Sequence, residues 1–135
     1  MSTKNIGLVS VGVVALNEAA ALSALLEDIV NQDYSHENIE VVLIDSGSSD
    51  GTRDIMESFA EKREEFGFSN IAVFDNPKRI QAAGWNVFFR NAKGDVFIRV
   101  DGHATIARDF VSCNVAVLNA GEDVCGGYRP TIVDK

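Results

Sequence analysis

Val41-Val42-Leu43-Ile44-Asp45-Ser46-Gly47-Ser48-Ser49-Asp50-Gly51-Thr52 is the stretch whose reading decides the fold. Four apolar residues run unbroken into a carboxylate, a loop of small polar residues follows, and helical spacing begins at Thr52. A short continuous apolar run reads as a strand covered on both faces, as in a parallel sheet. Gly47 and Gly51 with the serines between them mark the loop at its carboxyl end. Small residues there let the backbone approach a flat ligand closely, and Asp45 can accept a hydrogen bond from a base N–H. Ser46 stands beside it. Ser48, Ser49 and Asp50 also read as a cap for the helix that follows.

The same alternation extends in both directions. Leu-Val-Ser-Val-Gly-Val-Val-Ala at 8–15 reads as the first strand; Asn17 offers an N-cap, and Leu22, Leu25, Leu26, Ile29 and Val30 recur at helical spacing over 18–31. Strand 39–44 precedes the loop, and a helix over 52–66 turns Ile55, Met56 and Phe59 inward. A third strand at 71–74 leads through Asn76 and Pro77 to a helix over 80–91, and Gly94 resets the chain before a strand at 96–100. Phe110, Cys113, Val117 and Leu118 mark another helix, followed by a short strand at 124–128. Strands alternating with helices of this length predict a doubly wound α/β fold, with a mainly parallel sheet and helices on both faces. Ligands of such sheets bind outside the carboxyl ends of the strands, here 15–18, 45–51, 76–81 and 101–104. Residues 128–135 read as a strand or its exit with no closing helix, so the chain reads as a fragment.

The 135 residues suit one domain, and their net charge of -8 would repel a polyphosphate chain, so nucleic acid is not an expected partner. A phosphorylated ligand on so acidic a surface calls for a divalent cation to separate carboxylate from phosphate. Cys113 and Cys125 have neither the number nor the spacing of a disulfide framework or zinc site. No signal peptide and no run of ~20 apolar residues is present, which reads as a cytoplasmic domain.

Phe97-Ile98-Arg99-Val100-Asp101-Gly102-His103-Ala104 is the second strand that ends in chemistry. Asp101 and His103 lie two apart, and Gly102 gives both side chains freedom to face one point. Carboxylate oxygen with imidazole nitrogen suits a Mn²⁺-like ion better than an oxygen-seeking Mg²⁺. Taken alone, Asp-Gly-His is also an ordinary turn. Neither G-x-x-x-x-G-K-[ST] nor G-x-G-x-x-G occurs, so the two familiar phosphate loops are excluded.

In this order the motifs resemble family 2 glycosyltransferases of the GT-A fold over nearly the whole chain. The opening strand with its Asn-Glu turn is matched at Val9 to Glu18, Asp-x-Gly-Ser-x-Asp-Gly-Thr at Asp45 to Thr52, the later Asn and Gly-Asp pair at Asn86 and Gly94-Asp95, and Asp-x-Asp at Asp101-Gly102-His103. Arg-Val-Asp-Gly-His-Ala at 99–104 is similar to bacterial exopolysaccharide glucosyltransferases of the succinoglycan type. The resemblance implies a nucleoside-diphosphate sugar, usually a UDP-sugar, with Asp45 on the base, Ala15, Asn17 and Glu18 along the nucleotide, and Ser46, Asp101 and Gly102 close by. It implies Mn²⁺ or Mg²⁺ held by Asp101 and His103, with Lys78 and Arg79 adding positive charge, although both also read as a solvated basic loop.

Three departures stand out. Pro-Thr-Tyr before Asn-Glu is Val14-Ala15-Leu16 here, the frequent Arg before Asn86 is Trp85, read as a core residue, and the second acid of the metal motif is His103. The family's general base lies well beyond the metal motif, so it is expected beyond Lys135 and no catalytic residue is assigned. The implied activity is sugar transfer, with an inverting outcome, to a glycan or lipid-linked acceptor at the cytoplasmic face of the membrane, with this chain as the donor-binding part. Two other readings remain at this point. A nucleotidyltransferase would use a glycine- and lysine-rich loop where Ala15-Leu16-Asn17-Glu18 stands, and a non-catalytic nucleotide-binding or assembly module would need no base.

Overall fold

The computed structural model describes residues 7–119 and 132–133. The apolar runs become strands β1 (Val9–Ala15), β2 (Ile39–Asp45), β3 (Asn70–Asp75) and β4 (Val96–Asp101), parallel to one another, with β5 (Ile132–Val133) antiparallel at the edge of β4. The sheet order is β3-β2-β1-β4-β5. The chain therefore reverses its direction of travel across the sheet between β1 and β4, and a crevice opens at the carboxyl ends of two such strands.

Every residue of β1 and β2 is buried, which is why neither shows alternation in sequence. Burial of Val41, Val42, Leu43 and Ile44 contributes roughly 1.5–3 kcal/mol apiece. Helices α1 (Ala19–Val30), α2 (Thr52–Glu61) and α5 (Phe110–Asn119) cover one face, where Leu22, Leu25, Leu26, Ile29, Met56, Phe59 and Val115 meet Val9, Val11, Val13, Leu43 and Ile98. Helix α4 (Gln81–Asn91) covers the other with Trp85, Val87 and Phe88 against Val14, Val42 and Ile44. Trp85 is a core residue as expected, and the guanidinium carbon of Arg99 lies 5.3 Å from its ring centre. Among the described residues no helix is long and apolar enough to cross a membrane.

Several local expectations need correction. The helix expected over 52–66 is interrupted at Lys62, after which α3 (Arg63–Phe66) makes one more turn and stops at the left-handed Gly67. Helix α5 buries Phe110, Val111, Val115 and Leu118, whereas Cys113 and Val117 face out, because the inward stripe follows the 110/111/115/118 spacing. Asn17 does not cap α1; that position is Glu18, with no side-chain cap bond, while Asn17 takes a left-handed backbone with φ 54°. The strand expected at 124–128 lies outside the described residues.

Candidate functional site

The turn after β1 and the loop after β2 are built as one unit. Asn17 N–H donates to Ser48 Oγ at 2.8 Å, Ser49 N–H to Asn17 Oδ1 at 2.8 Å, Glu18 N–H to Thr52 Oγ1 at 2.9 Å and Ala19 N–H to Asp50 Oδ2 at 3.1 Å. The Ala19 N–H that opens α1, and the two N–H groups just before it, are thus satisfied from another loop rather than by a local cap. Asp50 also accepts from Thr52 N–H and, at 2.6 Å, from the Thr52 hydroxyl. Of the three residues read as a cap for α2, Asp50 alone serves it directly, while Ser48 and Ser49 turn to Asn17. The Thr52 hydroxyl above all, with backbone N–H groups adding to it, holds the Asp50 carboxyl below its ordinary value against the opposing effect of desolvation.

That braced corner forms one wall of a cleft of about 270 Å³ at the ends of β1 and β4. Its lining includes Ala15, Glu18, Ser46, Arg79, Asp101, Gly102 and His103, seven of the residues singled out from sequence, together with Val14, Leu16 and Gln81. Gln81 begins α4 directly after the 76–80 loop, and its place in the strand-end segment 76–81 was the available signal. Larger hollows of about 820 Å³ between α1 and α2, and about 590 Å³ at the end of α1, lie away from these strand ends; the second is lined by Asp28, Asn31, Gln32, His36 and Arg108, but the Asp28 and Gln32 side chains are bonded to the backbone of Ile106, Ala107 and Val111.

Arg79 reaches the cleft from the far side. Its backbone is left-handed, with φ 63°, and Nη1 donates to Gly47 O at 2.8 Å. Gly47 has φ 89°, a backbone that favours glycine, and a Cβ there would push the Arg79 guanidinium aside. Beneath it the buried Asn76 donates from Nδ2 to Ser46 Oγ and to Ile80 O, each at 2.9 Å, locking the loop before α4 to the end of β2. Sequence reading treated Asn76 as punctuation and missed this tie.

Three expected residues do not line the cleft. Lys78 is exposed outside it, and Asn17 is engaged with the 45–52 loop. Asp45 is 5% exposed, pairs in register with Ala15, and accepts from Ser48 N–H at 3.1 Å, so one of its oxygens is committed to holding its own loop.

At the β4 end Asp101 and His103 both face the cleft across the buried Gly102. His103 Nδ1 lies 3.2 Å from Glu18 Oε2. No group of three His, Cys, Asp or Glu side chains capable of holding a metal occurs among the described residues. Two mixed oxygen and nitrogen donors at an open rim fit a divalent ion whose remaining positions come from a phosphorylated ligand and water, and do not fit a closed structural metal cage.

Comparison with known proteins gives this geometry its family. The sequence pattern of glycosyl transferase family 2 matches residues 10–135. The chain belongs to that family. The family 2 chain is 35% identical over 107 residues to a dolichyl N-acetyl-alpha-D-glucosaminyl phosphate 3-beta-D-2,3-diacetamido-2,3-dideoxy-beta-D-glucuronosyltransferase of Methanococcus voltae, covering 79% of this chain and 32% of that protein. It is 38% identical over 97 residues to the succinoglycan biosynthesis protein ExoA of Rhizobium meliloti, covering 70% of this chain and 28% of that protein. Among solved structures it superimposes on the mannosyltransferase PcManGT of Pyrobaculum calidifontis, in complex with GDP-Man and Mn²⁺, with a TM-score of 0.72 and 30% identity, covering 89% of this chain and 34% of the other. The chain thus spans about a third of the length of these relatives. The GT-A glycosyltransferase fold and the likeness to succinoglycan-type enzymes agree with the sequence reading.

Proposed function

We propose that this family 2 chain is the donor-binding part of a metal-dependent glycosyltransferase that takes a nucleoside-diphosphate sugar, first a UDP-sugar, and passes the sugar to a glycan or lipid-linked acceptor in polysaccharide synthesis. The observation that carries the reading is the convergence of Ala15, Glu18, Ser46, Arg79, Asp101 and His103 on one cleft at the switch point of the sheet. The mannosyltransferase relative, solved with GDP-Man and Mn²⁺, supports the ligand class.

In this reading the braced corner of Asn17, Glu18 and the 45–52 loop orients the nucleotide. The oxygen of Asp45 not bonded to Ser48 accepts from the base at the end of β2. Arg79 places its charge beside the phosphates, with Lys78 adding to the field from outside. Asp101 and His103 would hold Mn²⁺ or Mg²⁺, which when bound stabilises the negative charge growing on the leaving diphosphate. Transfer also needs an acceptor hydroxyl held near the sugar and a base within reach of its proton. Both are assigned to parts of the longer protein outside these residues, and a lipid-linked acceptor would place that protein at the cytoplasmic face of a membrane.

Calorimetric titration of the 135-residue chain with UDP, UDP-sugars, GDP and nucleoside triphosphates, with and without Mn²⁺, tests the reading. The expected result is Mn²⁺-dependent binding of UDP and UDP-sugars. Preference for triphosphates would instead favour nucleotidyl transfer, and a GDP preference would replace uridine by guanosine. With labelled UDP-sugar, Mn²⁺ and a membrane extract, no efficient sugar transfer is expected and slow hydrolysis is compatible with the reading; transfer at the rate of a longer parent protein would break the assignment of a donor-binding part.

A further inference from the structure

The Glu18–His103 pair joins two elements whose meeting no local sequence rule requires. Glu18 is held by its backbone: its N–H donates to Thr52 Oγ1 at 2.9 Å, and its carbonyl accepts from Ala21 and Leu22 at 3.1 and 2.8 Å. Its side chain makes no cap bond to α1 and turns to His103 Nδ1 at 3.2 Å. A Cβ at Gly102 would lie 2.9 Å from Ala15 Cβ and 3.1 Å from Glu18 Cγ, so glycine there lets the end of β4 press against the β1 turn and brings the imidazole to the carboxylate. The ring is 66% exposed and the Glu18 side chain 30%, so the pair adds little to stability and its use must be sought in the cleft.

A metal-bound histidine needs a lone pair on one ring nitrogen, and the hydrogen bond made by the other nitrogen decides which one carries it. Nδ1–H donating to Glu18 leaves the lone pair on Nε2. We propose that Glu18 is a positioning residue that holds His103 as the Nδ1–H tautomer and turns Nε2 toward the metal. The proposal rests on the metal role given to Asp101 and His103 above. It gives the Glu18 side chain a task apart from the ligand set, while the Glu18 backbone stays part of the braced corner.

Two-bond ¹H–¹⁵N spectra of the histidine rings, taken at a pH where they are neutral and assigned with His103→Ala, read the tautomer without metal or activity. Mn²⁺ titration by electron paramagnetic resonance in the presence of UDP reads the consequence. The wild type is expected as Nδ1–H. Glu18→Ala should move His103 toward Nε2–H and weaken Mn²⁺ by roughly 10- to 100-fold, while Glu18→Gln, whose amide oxygen still accepts, should keep the tautomer and most of the affinity. His36, whose Nδ1 lies 2.8 Å from Phe66 O and whose Nε2 lies 3.2 Å from Gln32 O, away from the cleft, is the internal control. An Nε2–H wild type, or a Glu18→Ala protein with unchanged tautomer and affinity, overturns the role of Glu18 while leaving the metal reading intact. Loss of Mn²⁺ binding in Glu18→Gln with its tautomer kept would make the carboxylate a direct ligand and overturn the positioning role. A wild type that binds no Mn²⁺ with UDP would remove the metal reading and this proposal with it.

Discussion

The two ends of the sheet each carry a carboxylate cluster, and they differ in where their hydrogen bonds go. At the amino ends of the strands, Glu40 is 3% exposed and its Oε2 accepts from Ser10 Oγ and from Lys93 N–H, both at 2.5 Å. Ser10 Oγ in turn accepts from Gly94 N–H at 2.8 Å, and Asp95 Oδ2 accepts from Gly7 and Leu8 N–H at 2.9 and 3.2 Å. That end is closed on itself and ties the start of β4 to β1 and β2. At the carboxyl ends, Asp101 and His103 are exposed to the cleft, and the bonds around them brace the surrounding loops rather than fill the space between. The comparison separates a carboxylate that serves the fold from one available to a ligand. The test is the destination of its lone pairs, since both kinds stand in or beside apolar strands.

If this contrast is right, Glu40→Ala should cost ~3 kcal/mol in urea unfolding, because two donors lose their buried acceptor, with donor affinity unchanged in the folded fraction. A loss below about 0.5 kcal/mol, the scale of a neutral surface change, would break the comparison at its structural end. Asp45→Ala should weaken UDP binding by about 2 kcal/mol by calorimetry, with a smaller loss of stability through Ser48. Unchanged UDP affinity would move Asp45 to the structural class alongside Glu40.

His103→Ala, which removes a direct donor, should weaken Mn²⁺ in the presence of UDP at least as much as the roughly 10- to 100-fold expected for Glu18→Ala, and Mn²⁺-dependent UDP affinity with it. His103→Asp should restore it with a shift toward Mg²⁺, because oxygen replaces nitrogen among the donors. The affinities of all three proteins in chelator should agree; equal wild-type affinity in chelator and in Mn²⁺ would sharpen the site to a metal-free one. The smallest effect concerns Asp50. Its carboxyl is held low chiefly by the Thr52 hydroxyl, so its contribution is full above the unfolded-state value, near 3.8, and is lost as pH falls through the lower folded-state value. Thermal melts of wild type and Asp50→Asn should therefore converge in acid, and a constant difference across that range would count against a charged role for Asp50.

Much of the fold was legible because apolar runs and helical spacing are local signals. The four parallel strands and the helices after them appear close to where periodicity placed them, and the polar residues that gather at the ends of β2 and β4 stand where the sequence puts them. Helix caps were less legible: the turn into α1 draws on Ser48, Asp50 and Thr52, about thirty residues away, where a local rule could only nominate Asn17. Buried Glu40 and Asn76 were likewise invisible, since a polar residue in or beside a strand does not announce which distant donor or acceptor it will meet.

By itself, then, the sequence determined the α/β class, the family motifs and the strand ends where polar groups gather, because those depend on residue type and spacing along the chain. The tertiary structure alone decided that Arg79 reaches the cleft while Lys78 does not, that Asp45 spends one oxygen on its own loop, and that Glu18 faces His103 across 85 positions of sequence. Those outcomes follow from the sheet order, which sets β4 beside β1, and from close approaches at Gly47 and Gly102, and sequence spacing encodes neither.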